Sequence, residues 1–151
     1  MTRPRLVVAA DHGGAELMSE LAATSSFSTA EVVTPHPVAG DDYPRAVAAL
    51  AARIRPGSDD RGVMICRSGV GMALAANRFK HLRAVHAHDV RIVKRARRDE
   101  DVNVLSLGAD FLDLAQTKKL VATFLRAPFR NTVRDRRRLR LIDSYVRAHR
   151  R

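Results

Sequence analysis

Five short apolar runs, each followed by a stretch of helical spacing, set the strongest limit on what this chain can fold into. RLVVAA (residues 5–10), AEVVTP (30–35), RGVMIC (61–66), LRAVHAH (82–88) and VNVLSLG (102–108) read as strands. AELMSELAA (15–23), RAVAALAARI (45–54), GMALAANRF (71–79), DVRIVKRARR (89–98) and LAQTKKLVATFL (114–125) read as the helices between and after them. Pro44 sits well in the first turn of its helix, and Pro128 follows the end of another. The tail from about Thr132 has apolar residues at Leu139, Ile142 and Val146, which predicts a further helix. Strands alternating with helices imply an α/β fold, a parallel sheet covered on both faces. No internal repeat, low-complexity segment or linker divides the 151 residues, so a single domain over 1–151 is expected.

In open sheets of this kind ligands bind at the carboxyl ends of the strands. That rule converts the strand pattern into a map of candidate residues: Asp11 and His12, then Asp42 and Tyr43, then Cys66 to Gly71, then His88 and Asp89, and finally Gly108 to Asp110. Cys66 is the only cysteine, and it stands where the third strand turns into a helix, in CRSGVGM. Glycines at such a turn let the backbone take left-handed angles and let a ligand approach the main chain. The following helix directs unpaired N–H groups and the positive end of its dipole at the loop, which favours an anion. A thiol beside such a loop can serve as base or nucleophile. With preorganised donors for an enediolate, it suits proton abstraction next to a carbonyl. On the local pattern alone, Cys66 reads more readily as a small buried hydrophobe ending a strand, with the glycines only making the turn.

Composition narrows the class. The formal net charge is +11, so nucleic acid is the first partner to consider. Much of that charge lies in the last stretch, RNTVRDRRRLRLIDSYVRAHRR, and the chain has no tryptophan and two tyrosines, so stacking platforms for single strands are scarce. No apolar stretch approaches the roughly 18 residues that span a membrane. A single cysteine cannot form an internal disulfide, and the first residues lack the apolar core of a signal peptide, so a cytoplasmic location is expected. His86 and His88 lie two apart at a strand end with no Cys or Glu cluster nearby, so no metal is expected.

Taken together, AADHGGAELMSEL, DDYP, GVMICRSGVGMALAANRF, RAVHAHD and NVLSLGADF, in this order and spacing, resemble the ribose-5-phosphate isomerase B and galactose-6-phosphate isomerase family. The likeness covers nearly the whole chain. It implies a doubly wound, Rossmann-like three-layer sandwich with a five-stranded parallel sheet in the order 2-1-3-4-5. It implies a homodimer, or a dimer of dimers, whose active sites are shared and whose last helix is exchanged across the interface. It implies interconversion of an aldose phosphate and a ketose phosphate through a cis-enediol without metal or other cofactor, and a sugar phosphate rather than nucleic acid or a membrane as partner. Carried over by position, Cys66 matches the base that moves the proton between C1 and C2, and Ser68 stands at a hydroxyl that could shuttle protons between the two oxygens. Gly69, Gly71 and Met72 match the loop that holds the enediolate. Asp11 and Tyr43 match residues near the sugar hydroxyls, His12 a phosphate contact, and Asn77 the asparagine of the helix after the loop. Arg134 and Arg138 fall on two phosphate-binding arginines, at a spacing that sets both on one face of a helix.

The chain departs from the family pattern at three places. Arg67 replaces a glycine after the cysteine. Asp99 and Glu100 replace a His-Asn pair, of which the histidine opens the sugar ring and the asparagine contributes to the anion site. Asp110 stands where an arginine is common. These changes leave three readings. Asp99 serves as an acid/base in place of the histidine, with Glu100 and Arg67 as substrate contacts. Alternatively the substrate needs no ring opening, as with a tetrose 4-phosphate, whose O4 is esterified. In the third reading the chain is a non-catalytic or heteromeric sugar-phosphate-binding relative.

Overall fold

The computed structural model describes residues 4–34, 37–40 and 42–148. In chain order these form β1 (Leu6–Ala10), α1 (Ala15–Ala22), β2 (Glu31–Val32), α2 (Tyr43–Ala51), β3 (Arg61–Cys66), α3 (Val70–Ala76), β4 (Ala84–His86), α4 (Val90–Glu100), β5 (Val104–Gly108), α5 (Leu114–Arg126) and α6 (Val133–Ala148). A single 3-10 turn at Ser25–Phe27 separates α1 from β2 and has no counterpart in the periodicity. β2 keeps only two residues of its apolar run, and Pro35, the expected stop, lies outside the described residues. Among the described residues no helix is long and apolar enough to cross a membrane.

All five strands run parallel in one sheet, in the order β2-β1-β3-β5-β4. The expected order 2-1-3-4-5 is therefore corrected at its last two places. β5 pairs with β3 along five residues, Gly62 to Cys66 against Val104 to Gly108, and β4 joins β5 from outside. The physical reason lies in burial. Every residue of β5 is buried, as an inner strand requires, whereas the three residues of β4 are only half-buried and suit an edge.

The strands distribute their side chains by the two-residue period of the pleat. Leu6, Val8, Ala10, Val63, Ile65, Leu105 and Leu107 face α1, α4 and α5, where Leu21, Val93 and Phe124 meet them. Val7, Ala9, Met64, Cys66 and Val104 face α2 and α3, against Val47, Leu50 and Met72. Local chemistry fixes where helices start. Asp89 accepts from the Arg91 amide at 2.7 Å, Asp113 and Gln116 form a reciprocal capping box, and Pro44 enters the first turn of α2.

Candidate active site

The carboxyl ends of β1, β3 and β5 meet at the loop that follows Cys66. The Cys66 side chain is buried at 6% exposure, and its Sγ accepts a hydrogen bond from the Gly69 amide at 3.1 Å. Gly69 takes φ +80°, a left-handed angle that a side chain would strain. A Cβ there would also lie 2.6 Å from His86 Cδ2 and 2.9 Å from the Leu107 carbonyl carbon. Ser106 donates to the Gly69 carbonyl at 2.6 Å from the buried centre of β5. The loop is therefore pinned from both sides, and its amides at Val70, Gly71 and Met72 open the next helix. The Val70 amide is turned to the Ser68 hydroxyl at 3.3 Å.

Neighbouring loops close around this turn. Asp11, 8% exposed, accepts from the Gly14 amide at 3.1 Å, and its own amide donates to the Ile65 carbonyl at 3.3 Å. Thr34 Oγ1 takes the Ala10 amide at 2.7 Å and so ends β1. The Tyr43 ring lies over Gly71, where a Cβ would come within 2.8 Å of its Cζ. Arg67 lies over Gly13 and donates from Nε to Asp110 Oδ2 at 3.2 Å. His12 is exposed beside Gly13. Asp11, His12, Tyr43, Arg67, Ser68, Gly69, Gly71 and Met72 are thus gathered with Cys66, as the strand-end map anticipates. His86 and His88 stand with ring centroids 6.1 Å apart, and among the described residues no group of three or more potential metal ligands occurs.

Five other expected site residues lie at the opposite end of the sheet. Asp99 and Glu100 close α4, just before β5 begins, and the β3–β5 register sets Cys66 about 13 Å away along the strand. The Asp99 carboxylate is surrounded by Arg98 at 2.8 Å, Arg130 at 3.4 Å and Arg95 at 3.8 Å. The hydrogen bond from Arg98 holds its carboxyl below the usual range, with the charges of Arg98, Arg130 and Arg95 acting in the same direction. Arg130 also grips buried Asp135 at 2.8 Å, which keeps that carboxyl well below its ordinary value and lies at the start of α6. Arg134 and Arg138 follow on α6, both exposed. Asn77, at the end of α3, uses its side-chain amide to bridge the Ala84 backbone, accepting at 2.8 Å and donating at 3.0 Å. Within one chain these residues do not meet Cys66.

Ser106, Thr34 and Arg130 are the participants that sequence reasoning missed. Ser106 had a signal, a lone hydroxyl in an otherwise apolar strand. Arg130 had none, being one arginine in a basic tail.

The sequence profile of the Ribose/Galactose Isomerase family matches residues 6–142. Ribose-5-phosphate isomerase B of Escherichia coli is 30% identical over 127 residues, 83% of this chain and 85% of the relative. The crystal structure of ribose-5-phosphate isomerase B from Mycoplasma genitalium with bound ribulose-5-phosphate superposes with a TM-score of 0.84 at 31% identity, over 95% of this chain and 96% of that one. A D-erythrulose-4-phosphate isomerase 2 of Mycolicibacterium smegmatis is 38% identical over 87 residues, 58% of this chain and 57% of the relative. Fold, strand-end loop and sequence agree over nearly the full length, and the chain belongs to the Ribose/Galactose Isomerase family of aldose–ketose isomerases.

Proposed function

We propose that this sugar-phosphate isomerase moves a proton between C1 and C2 of an open-chain substrate, with Cys66 as the base. The observation that carries the reading is the hydrogen bond from the Gly69 amide to Cys66 Sγ, at the turn from which the next helix starts. A thiolate there takes the proton from C2 of the aldose, and the electron pair moves into an enediolate. Loop amides at Gly69, Gly71 and Met72 stabilise the negative oxygen. The Ser68 hydroxyl passes the oxygen-bound proton between O2 and O1, and Cys66 returns its proton to C1. Asp11 and Tyr43 orient the sugar hydroxyls, and His12 contacts the phosphate.

The remaining groups, Arg134, Arg138, Glu100 and Asp99, come from a second copy of the chain in this reading, with α6 as the element that reaches across. Two observations support it: these residues lie at the far end of the sheet in their own chain, and α6 carries exposed Leu141 and Ile142. Complementation tests the arrangement. Mixing Cys66→Ala with the double variant Arg134→Ala/Arg138→Ala, assayed well below KM where each alone retains about 1% of activity or less, regains about a quarter of wild-type activity if random two-fold dimers share their sites. No recovery after subunit exchange would show that each chain builds its site alone.

The surroundings of Asp99 favour its ionised form, which suits holding Arg130 in place rather than donating a proton to a ring oxygen. A substrate that cannot close a furanose ring fits such a site, and a four-carbon sugar phosphate is the simplest. Turnover of D-erythrose 4-phosphate, D-ribose 5-phosphate, D-allose 6-phosphate and D-galactose 6-phosphate, with Cys66→Ala beside wild type, tests both parts. Tetrose turnover that survives Asp99→Ala and is lost in Cys66→Ala is the expected result. Turnover that persists without Cys66 would end the thiol mechanism. No turnover of any sugar would favour a binding role.

A further inference from the structure

Arg67 directly follows Cys66, and three contacts set its direction. Its carbonyl accepts from the Asp110 amide at 3.0 Å, and its Nε donates to Asp110 Oδ2 at 3.2 Å. Its Cγ presses on Gly13 so closely that a Cβ on that glycine would be 2.3 Å away. The side chain is thereby laid between the loop after β5 and the loop after β1, beside His12. Only Nε is engaged. Among the described residues the two Nη groups have no hydrogen-bond partner, and the side chain is 72% exposed. An arginine held at one edge with its other nitrogens free presents a fork suited to two oxygens of one phosphate.

Position along the chain then constrains the ligand. Adjacent Cα atoms are about 3.8 Å apart, so the fork and the thiol are anchored at neighbouring points of the same strand end. Each carbon removed from a sugar phosphate brings its phosphate one C–C bond nearer to the reacting C1–C2 pair. A short sugar meets the fork while its reacting carbons remain at Cys66. A longer one must turn its phosphate away or displace Arg67 from Asp110. We propose that Arg67, steadied by Asp110, is the specificity-determining residue that selects a four-carbon sugar phosphate by binding its phosphate close to the thiol. The assignment rests on the isomerase reading of the same site and adds the residue that sets chain length.

The test compares wild type, Arg67→Ala, Arg67→Lys and Asp110→Asn in steady-state kinetics with D-erythrose 4-phosphate and D-ribose 5-phosphate. Removing the fork is expected to raise KM for the tetrose about tenfold, as loss of charge-assisted hydrogen bonds does, with kcat little changed. KM for the pentose stays or falls. Arg67→Lys keeps the charge but not the fork and restores the preference only in part. Asp110→Asn shifts the ratio the same way by less. An unchanged ratio of kcat/KM between the two sugars in Arg67→Ala overturns the proposal, as does an equal loss for both. If wild type turns over neither sugar, the isomerase reading fails separately. Calorimetric titration with 4-phospho-D-erythronate and 5-phospho-D-ribonate then decides the length assignment. Tighter binding of the shorter anion, lost in Arg67→Ala, upholds it, and equal affinities overturn it.

Discussion

The two ends of the sheet are built on different principles. At the amino ends, acidic and basic side chains are consumed by one another. Asp60, 2% exposed, is held by Arg5 at 2.9 Å and Arg55 at 3.0 Å, and Asp101 by Arg83 at 2.6 Å and Arg97 at 2.9 Å. Arg97 is itself buried, gives further hydrogen bonds to the Val102 and Ala127 carbonyls and lies over Phe124. At the carboxyl ends the ion pairs among the described residues are Arg67–Asp110 and Arg91–Asp89, both reaching into solvent. There the loops are fixed by backbone and small side chains, through Ser106, Thr34 and the glycines, and donors are left over. The first end uses its buried polar groups to hold the chain together and leaves Arg134 and Arg138 of α6 exposed; the second keeps its donors for a ligand.

Substitutions should separate the buried ion pairs that hold the chain from the groups that meet a ligand. The largest effect is expected for Cys66→Ala, a loss of about a thousandfold in kcat/KM with no large change in melting temperature, read by coupled assay and calorimetry. A comparable loss of stability would show that the thiol belongs to the core instead. Arg134→Ala and Arg138→Ala are next, each raising KM about tenfold or more while kcat changes less. Equal falls in kcat would place these arginines at the reacting carbons rather than at the phosphate.

Asp60→Asn is expected to cost about 1–3 kcal/mol in denaturant unfolding, because Arg5 and Arg55 lose their shared partner, with KM unchanged. The native carboxyl of Asp60 is held well below the ordinary carboxylate range, first by the hydrogen bond from Arg55 and then by that from Arg5, against the effect of burial. Its contribution is therefore complete above the unfolded carboxylate value of about 3.9 and fades as pH falls below it toward the lower native value. The gap between wild type and Asp60→Asn should narrow on acidification over that window, and a constant gap would contradict the charge pairing. The smallest effect is expected for Ser106→Ala, about 1 kcal/mol of stability for one lost hydrogen bond. A few-fold fall in kcat from a loosened Gly69 accompanies it, and an unchanged kcat would mean the loop is held without it.

Much of the fold is legible in the sequence because short apolar runs and helical spacing report local structure directly. The strand order is not. The runs LRAVHAH and VNVLSLG are read only as strands, neither as the inner one, and the order implied by the family likeness sets β4 beside β3; full burial of Val104 to Gly108 decides for β5. The site divides in the same manner. Cys66 and its glycines announce themselves, because a strand-to-helix turn needs those residue types locally. Arg134, Arg138 and Asp99 gain meaning only through the family likeness, since their place depends on packing far along the chain. Arg130 and Ser106 act through single contacts with distant residues, Asp135 and Gly69, and such pairs leave no mark in spacing.

The inner position of β5 bears on how the chain is completed during synthesis. When residues up to β4 have emerged, only β2, β1 and β3 can pair, and β3 presents an open edge that β4 does not cover. The open edge is a template for unwanted pairing until a later strand arrives. β5 then pairs with that edge and supplies the edge on which β4, made earlier, can pair. Between synthesis of residues 66 and 108 the β3 edge lacks its partner, so a ribosome pause inside that interval lengthens its exposure.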